Sequence, residues 1–269
     1  MKTPVTYYGG KQTMLKYIMP LIPDHRVYDE PFFGGGAVFF AKKEAKCELI
    51  NDVNDRVINF YKVYQTRAEE LRQLVNESML SRKQHELARG IYQSPNGYSD
   101  IEKAWSFWFL GNTSFNGDFY GNIKFSRSEN RSYTYLSNSK RQLVNPKLIK
   151  RLEKTQIDNR DALLVIPMMD QPLTFHYIDP PYMNADQGHY SGYSWIDFGR
   201  LLLLLGTIKG KFLLSCYDGD MLQAAISRFG WNYRRIQMSA PASAMHGQRA
   251  KKIEMLVMNY QPAQTKLQF

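Results

Sequence analysis

The sequence predicts an α/β fold built on a mostly parallel sheet, and three observations predict it. A strand at 26–33 runs into three glycines and an apolar helix start at 34–40. A second apolar run at 47–50 ends in acids and amides, and a third at 173–178 ends at two prolines. Apolar strands that lead into glycine loops and acids are typical of nucleotide-binding α/β folds.

The composition limits the classes of protein to which the chain can belong. Its 269 residues fit one large domain, or one domain with a sizeable insertion. The formal net charge of +10 favours a polyanionic partner, nucleic acid before membrane. Cys47 and Cys216 lack metal-ligand spacing, which fits a reducing cytoplasmic compartment rather than a disulfide framework or a zinc site. The longest aliphatic run, 201–205, is too short to span a bilayer.

Near the N-terminus, YGGK at 8–11 offers two glycines that let a backbone approach a ligand and one lysine that brings a positive charge. The segment is not a P-loop, because the required earlier glycine is missing and Gln12 replaces the Ser or Thr. An ordinary loop before a helix at 13–19 is the alternative interpretation.

The glycines at 34–36 follow the first strand, but Phe39 replaces the third glycine of a dinucleotide fingerprint. The loop therefore suits a smaller adenosine-bearing cofactor without a pyrophosphate. Asp52 ends the second strand, where an acid can accept hydrogen bonds from ribose hydroxyls. Its alternative role is to cap the next helix, but Asp55 is the better candidate for that cap.

The chain then changes character. Between 111 and 139 it mixes amides, aromatics and basic residues, which suits a surface that reads base edges and holds phosphates. A long solvated loop is the alternative. A second basic patch lies at 240–252, between two strands that are predicted to form a closing hairpin. The candidate DNA-binding residues are Asn116, Tyr120, Asn122, Lys124, Arg127, Arg131, Arg249 and Lys251.

DPPY at 179–182 offers the clearest chemistry. Its prolines end the third strand and stiffen the loop, so Asp179 lies just beyond the strand, where open α/β sheets bind ligands. The exocyclic amine of a nucleobase is a poor nucleophile, because its lone pair is conjugated into the ring. A carboxylate and a proline carbonyl that accept its hydrogens would favour a pyramidal nitrogen, and Tyr182 would stack on the base. A turn with a helix-capping Asp is the alternative.

Four segments in this order, YGGK at 8–11, EPFFGGG at 30–36, NDVN at 51–54 and DPPY at 179–182, resemble the DNA adenine-N6 methyltransferases of the Dam type, the α class. The resemblance extends to KIEMLV at 252–257, which is similar to the last motif of that family. It implies a Rossmann-like methyltransferase fold with helices on both faces of the sheet. Residues 1–60 and 155–269 would form the catalytic domain, and 61–154 a smaller inserted helical and hairpin domain for target recognition.

The resemblance also implies S-adenosylmethionine as methyl donor, S-adenosylhomocysteine as product, and no metal. The loop at 33–36 would border the methionine end of the donor, and Asp161 would contact its adenine or cap a helix. The implied cofactor-binding residues are Tyr7, Lys11, Phe33, Gly34, Gly36, Asp52, Asp161 and Asp179. The implied catalytic residues are Asp179, Pro180, Pro181 and Tyr182.

The expected activity is methyl transfer to the N6 amine of an adenine flipped out of double-stranded DNA, with a monomer favoured. Whether a cognate restriction enzyme accompanies the protein stays open. Methylation of cytosine at N4 uses the same amine chemistry and stays open, as does an inactive DNA-binding relative. Methylation of cytosine at C5 is disfavoured, because neither Cys47 nor Cys216 follows a proline as the usual nucleophile does. The recognition sequence stays open, because the segment after 117 lacks the family's base-reading residues in register.

Overall fold

The computed structural model describes residues 3–7, 9–125, 146–182, 193–238 and 252–262. Its strands are β1 (Val27–Glu30), β2 (Cys47–Asn51), β3 (Gln156–Asp158), β4 (Thr174–Ile178), β5 (Lys211–Tyr217), β6 (Asn232–Met238) and β7 (Lys252–Met258). They form one sheet in the order β3-β2-β1-β4-β5-β7-β6. The pairs β2–β3, β1–β4 and β4–β5 are parallel, whereas β7 is antiparallel to β5 and β6. The predicted α/β class, with antiparallel C-terminal strands, is confirmed.

The helices are numbered in chain order. They are α1 (Leu15–Ile18), α2 (Ala37–Ala41), α3 (Asp55–Thr66), α4 (Ala68–Glu77), α5 (Arg82–Gln93), α6 (Asp100–Thr113), α7 (Pro146–Glu153), α8 (Ala162–Met169), α9 (Trp195–Leu205) and α10 (Asp220–Phe229). Short 3₁₀ turns lie at Lys11–Thr13, Met19–Leu21 and Phe115–Gly117. Every helix in the described part of the chain falls short of the length and hydrophobicity that a membrane span demands.

The chain divides into two compact units. The first comprises Met1–Leu15, Phe33–Lys43 and Glu48–Arg160, and the second comprises Lys16–Phe32, Glu44–Cys47 and Asp161–Phe269. These boundaries leave open whether 61–154 acts as a separate recognition domain, and that assignment stays a prediction.

The first unit packs α3, α4 and α5 around the aromatic helix α6. This helix begins with a capping box, in which Ser99 and Glu102 each accept a hydrogen bond from the backbone of the other. Its side chains at Phe107, Trp108 and Phe109 are almost fully buried. This helix therefore belongs to the core of the first unit.

The second unit packs α8, α9 and α10 on β4, β5 and β7. The shared core includes Ile178, Leu201, Leu214, Leu222 and Val257, all nearly inaccessible to solvent. Because strand faces alternate, residues that point away from this core lie on the opposite face of the sheet. By this alternation Tyr177, Ser215 and Glu254 lie on that opposite face.

The structure corrects three sequence predictions. The strand predicted at 26–33 stops at Glu30, because Pro31 cannot donate to the ladder and Gly36 N–H closes a turn on the Phe33 carbonyl at 2.8 Å. The cap of α3 is Asn54, whose side chain accepts from Arg56 N–H, so the choice of Asp55 was wrong. The three residues of β3 were not predicted as a strand.

Candidate active site

Two glycine-rich segments of the first unit pack against each other. A Cβ atom on Gly35 would lie 3.0 Å from the Cβ of Tyr7, so a side chain there would push the segments apart. Gly36 has a φ of +64°, and a Cβ atom on it would come within 2.5 Å of the Phe33 ring. The predicted cofactor contacts Tyr7, Phe33 and Gly36 therefore share one tightly turned region.

Asp52 is tied to this loop through backbone donors. Its carboxylate accepts the N–H of Gly34 at 2.8 Å and the N–H of Asn54 at 2.9 Å. The side chain is buried, and burial raises its pKa to about 6 although both backbone hydrogen bonds lower it. A carboxylate has about four acceptor positions, so roughly two remain for the hydroxyls of a ligand. Asp52 does not cap α3, as predicted.

Amide side chains hold the backbone on which Asp52 stands. Asn51 donates to the Arg160 carbonyl at 2.9 Å and accepts from the Arg160 N–H at 2.9 Å. Asn159 donates to the Asp52 carbonyl at 2.7 Å. The sequence prediction missed these two asparagines; the polar run 156–161 is the signal that could have identified Asn159.

Lys11 lies inside the first unit rather than on its surface. Only 7% of the residue is exposed, and its ammonium donates to the Gly9 carbonyl at 3.1 Å. The 3₁₀ turn that it begins packs near α2. The positive charge predicted from YGGK is thus held by the segment's own backbone.

Tyr92, at the end of α5, lies near the Asp52 region and was missed by the sequence prediction. Its ring stacks on Phe119 with centroids 5.0 Å apart and meets the edge of Tyr120 at 5.7 Å. Burial, together with the charges of Tyr120 and Asp52, raises the pKa of its hydroxyl to about 12 against the opposing influence of Arg56 and Asn54. The aromatic cluster thus extends from Tyr120 to the neighbourhood of Asp52.

The candidate DNA-binding residues divide between a described hairpin and undescribed segments. Ser114 and Ile123 form an antiparallel bridge that brings 113–124 into one hairpin. Tyr120 is 46% exposed, and Lys124 is half-buried, which lowers the pKa of its amine. The hairpin carries four of the candidates: Asn116, Tyr120, Asn122 and Lys124. The other four, Arg127, Arg131, Arg249 and Lys251, lie outside the described residues.

In the second unit, Asp179 stands at a position that α/β folds use for ligands. It follows β4, whose five residues are all buried, and it is itself half-buried. β4 pairs with β1, and the strand order reverses between these two strands. Ligands of open α/β sheets bind at the carboxyl ends of the strands at such a reversal. Pro180 is buried and Pro181 half-buried, so the loop that carries Asp179 is anchored.

Buried polar groups lie beside Asp179. Burial raises the pKa of the Tyr177 hydroxyl well above its usual value, and the charges of Asp179, Glu30 and Glu254 raise it further. The three carboxylates therefore create a negative potential around one phenol. Glu30 and Glu254 were not among the predicted site residues.

Tyr182 is held at its hydroxyl and at its ring. The hydroxyl donates to Glu254 and lies 3.0 Å from the Ser215 hydroxyl, which donates to the same Glu254 oxygen at 2.6 Å. The ring packs edge-on against Tyr217, with centroids 4.4 Å apart. With Pro181 and Trp195, the two tyrosines line a cavity of about 30 Å³, which has room for about two water molecules.

Asp161 caps a helix in the second unit. It is exposed, and its carboxylate accepts the N–H of Leu163 at 2.9 Å at the start of α8. The capping alternative is therefore confirmed, while contact with the cofactor stays a prediction. Within the described ranges, no group of three or more His, Cys, Asp or Glu side chains could hold a metal ion.

Comparison with known proteins identifies relatives over nearly the whole chain. The family described as D12 class N6 adenine-specific DNA methyltransferase matches residues 7–235. Type II methyltransferase M1.LlaDCHI of Lactococcus lactis subsp. cremoris is 26% identical over 276 residues, 94% of this chain and 93% of that protein. Type II methyltransferase M.MjaIII of Methanocaldococcus jannaschii is 26% identical over 294 residues, which cover 97% of this chain and 99% of that protein. The DNA N-6-adenine-methyltransferase of Escherichia phage P1 is 36% identical over 111 residues, 40% of this chain and 15% of that protein.

Proposed function

The chain belongs to the D12 class N6 adenine-specific DNA methyltransferase family, and from that membership we propose a role for each of its site residues. DNA is the substrate, and the family implies S-adenosylmethionine as the methyl donor. The donor supplies a methyl group made electrophilic by its sulfonium. The residues of the chain bind the donor, hold the adenine and orient its amine.

In the first unit, Asp52 accepts the ribose hydroxyls of the donor. Support comes from its buried carboxylate, which retains acceptor positions after bonding Gly34 and Asn54. The crowded turn at Gly35 and Gly36 lets the backbone border the methionine end of the donor, where any side chain would intrude. Tyr7 and Lys11 complete the contacts from the same unit, and Asp161 is proposed to contact the adenine of the donor.

In the second unit, Asp179 and the Pro180 carbonyl accept the two hydrogens of the adenine N6 amine, while Tyr182 stacks on the base. Accepting both hydrogens favours a pyramidal nitrogen whose lone pair points at the methyl group. Holding amine and methyl in line converts a bimolecular reaction into one with a high effective concentration. The nitrogen becomes strongly acidic only after methyl transfer, so no earlier general base is needed.

The charge of the second unit suits this step. Methyl transfer leaves a positive charge on the former amine, and fixed negative groups near it stabilise that charge. The charges of Asp179 and Glu30 both raise the pKa of the buried Tyr177 hydroxyl, so both carboxylates act on the same phenol. We propose that Glu30 reinforces the carboxylate of Asp179.

Recognition is assigned to residues 61–154, with 1–60 and 155–269 as the catalytic domain. The hairpin that carries Tyr120, Asn122 and Lys124 contacts double-stranded DNA, with Asn116 in the same hairpin and Arg127, Arg131, Arg249 and Lys251 adding basic groups. The net charge of +10 supports a DNA partner.

The target adenine is flipped into the protein, because the amine cannot be reached inside a duplex. Two relatives are named type II methyltransferases, and we propose that this chain also acts beside a restriction enzyme.

The observation that carries the proposal is the position of Asp179 at the reversal of strand order, beside a fixed Tyr182. Replacing Asp179 with Ala removes one of the two amine acceptors, so transfer of a tritiated methyl group to DNA falls by about a hundredfold or more. Circular dichroism of the variant should match the wild type. The exposed acid of the same unit, Asp220, provides the matched control as Asp220→Ala. Full activity of Asp179→Ala would refute the assigned role.

A further inference from the structure

Glu254 is a buried acid in the middle of an apolar strand. Only 6% of it is exposed, and the next residues of β7, Met255, Leu256 and Val257, are fully buried. On β7 it pairs with Tyr217 of β5 on one side and with Ile236 of β6 on the other. Burying an ionisable side chain costs free energy unless its oxygens receive hydrogen bonds.

Glu254 accepts hydrogen bonds from Ser215 and from Tyr182, the residue that is proposed to stack on the base. One of its oxygens accepts from the Ser215 hydroxyl at 2.6 Å and from the Tyr182 hydroxyl. The two hydroxyl oxygens are themselves 3.0 Å apart, so the three groups form a closed triangle. Hydrogen bonds to a charged acceptor are about twice as strong as neutral ones. The acid thus provides a strong anchor for the far end of the Tyr182 ring.

The hydrogen bond to Glu254 restricts the rotation of the Tyr182 side chain. A tyrosine ring is set by two side-chain torsions, and Tyr182 is constrained at the edge contact with Tyr217 and at its hydroxyl. A phenylalanine at 182 would fill the same volume without needing a buried acid beneath it. The costly arrangement is explained if the angle of the ring, and not merely its bulk, matters to the reaction.

We propose that Glu254 is a positioning residue, which fixes the plane of Tyr182 so that the stacked adenine presents its amine in line with the methyl group. The inference rests on the proposed function of DPPY. It also gives a role to KIEMLV at 252–257, a segment without a chemical role in the methyl transfer described above. Ser215 acts as the second donor, which keeps the Glu254 oxygen turned toward Tyr182.

The proposal predicts a specific kinetic signature. Tyr182→Phe keeps the ring and removes only the anchor, so kcat falls about 10- to 100-fold, as small misplacements of reacting groups do. KM for DNA changes less than about threefold, because phosphate contacts elsewhere provide most of the affinity. Glu254→Ala gives the same fall in kcat, while Glu254→Gln, which still offers an acceptor oxygen, restores most of it.

The deciding experiment is a double-mutant cycle in the full-length protein, with tritiated S-adenosylmethionine and duplex DNA. If Glu254 acts through the Tyr182 hydroxyl, Glu254→Ala lowers kcat in the wild type but adds less than about twofold to Tyr182→Phe, since coupled residues are not additive. Equal falls in both backgrounds would show a merely structural role and overturn the proposal.

Two further outcomes keep the test decisive. Tyr182→Phe retains its ring and is expected to fold even if Glu254→Ala does not, so wild-type kcat in Tyr182→Phe would by itself overturn the proposal. If the wild-type protein transfers no methyl group to DNA, the proposed function fails and this inference fails with it. An active wild type beside an unaffected Tyr182→Phe removes only the role of Glu254.

Discussion

Asp52 and Asp179 both follow a strand, but backbone groups fix the region around Asp52, whereas side chains fix the region around Asp179. In the first unit, backbone N–H groups hold Asp52, and glycines that tolerate no side chain shape the adjoining loop. In the second unit, side chains supply the structure, with the Tyr182 hydroxyl bound to Glu254 and Ser215. A site made by backbone is most sensitive to changes in conformation, whereas a site made by side chains is most sensitive to the loss of a polar atom.

The largest effect in the first unit is expected for Asp52→Ala. Each hydrogen bond to a charged acceptor contributes about 1.5–3 kcal/mol, so losing the bonds to two ribose hydroxyls weakens the Kd for S-adenosylmethionine by about a hundredfold or more. Isothermal titration calorimetry measures that change. Asp55→Ala, at an exposed acid of the same segment that does not cap α3, is the control and should bind as the wild type does. Unchanged binding by Asp52→Ala would remove the ribose contact.

A smaller effect is expected for Gly36→Ala. The new methyl group must adopt a positive φ and would meet the Phe33 ring, which together cost about 1–3 kcal/mol. The displaced loop weakens donor binding by about tenfold, with a lower melting temperature as a second readout. Gly90→Ala serves as the control, because its helical site in α5 has open space around it and alanine favours a helix. The comparison between backbone-built and side-chain-built regions breaks down if Gly36→Ala binds the donor normally.

The smallest effect concerns pH. Burial raises the pKa of Asp52 to about 6 in the ligand-free protein, and only the ionised form accepts two hydroxyl donors. Donor affinity should therefore be about fourfold weaker at pH 5.5 than at pH 7.5, and Asp52→Asn should abolish the difference. Because the folded protein holds this proton more tightly than the unfolded chain, the same group lowers the free energy of unfolding as pH rises from about 4 to 6. A pH-independent Kd in the wild type would contradict the ionised contact.

Much of the fold could be predicted because its signals are local. The apolar runs that became β2 and β4 and the antiparallel β6–β7 pair are all readable from short stretches. β3 could not be predicted, since three residues are too few for a periodic pattern. The cap of α3 was misassigned because Asn54 and Asp55 both favour caps, and only the extended backbone at Asn54 separates them.

The candidate site was predictable only in part, for a physical reason. Asp52 and Asp179 stand at strand ends, and that position is visible in the sequence. The contact of Tyr182 with Glu254 joins residues 72 positions apart, so no local pattern predicts it. The same is true of Asn51 with Arg160, separated by 109 positions. Sequence motifs predicted the proposed reacting groups, whereas the contacts that hold them in place required the fold.

The central claim is that Asp179 holds the N6 amine of an adenine for methylation. Its most direct test is to incubate duplex DNA with S-adenosylmethionine and either the wild type or Asp179→Ala, digest the DNA, and identify the methylated nucleosides by mass spectrometry. We predict N6-methyladenine with the wild type and only a trace with Asp179→Ala. N4-methylcytosine as the product, or equal N6-methyladenine from both proteins, would contradict the claim.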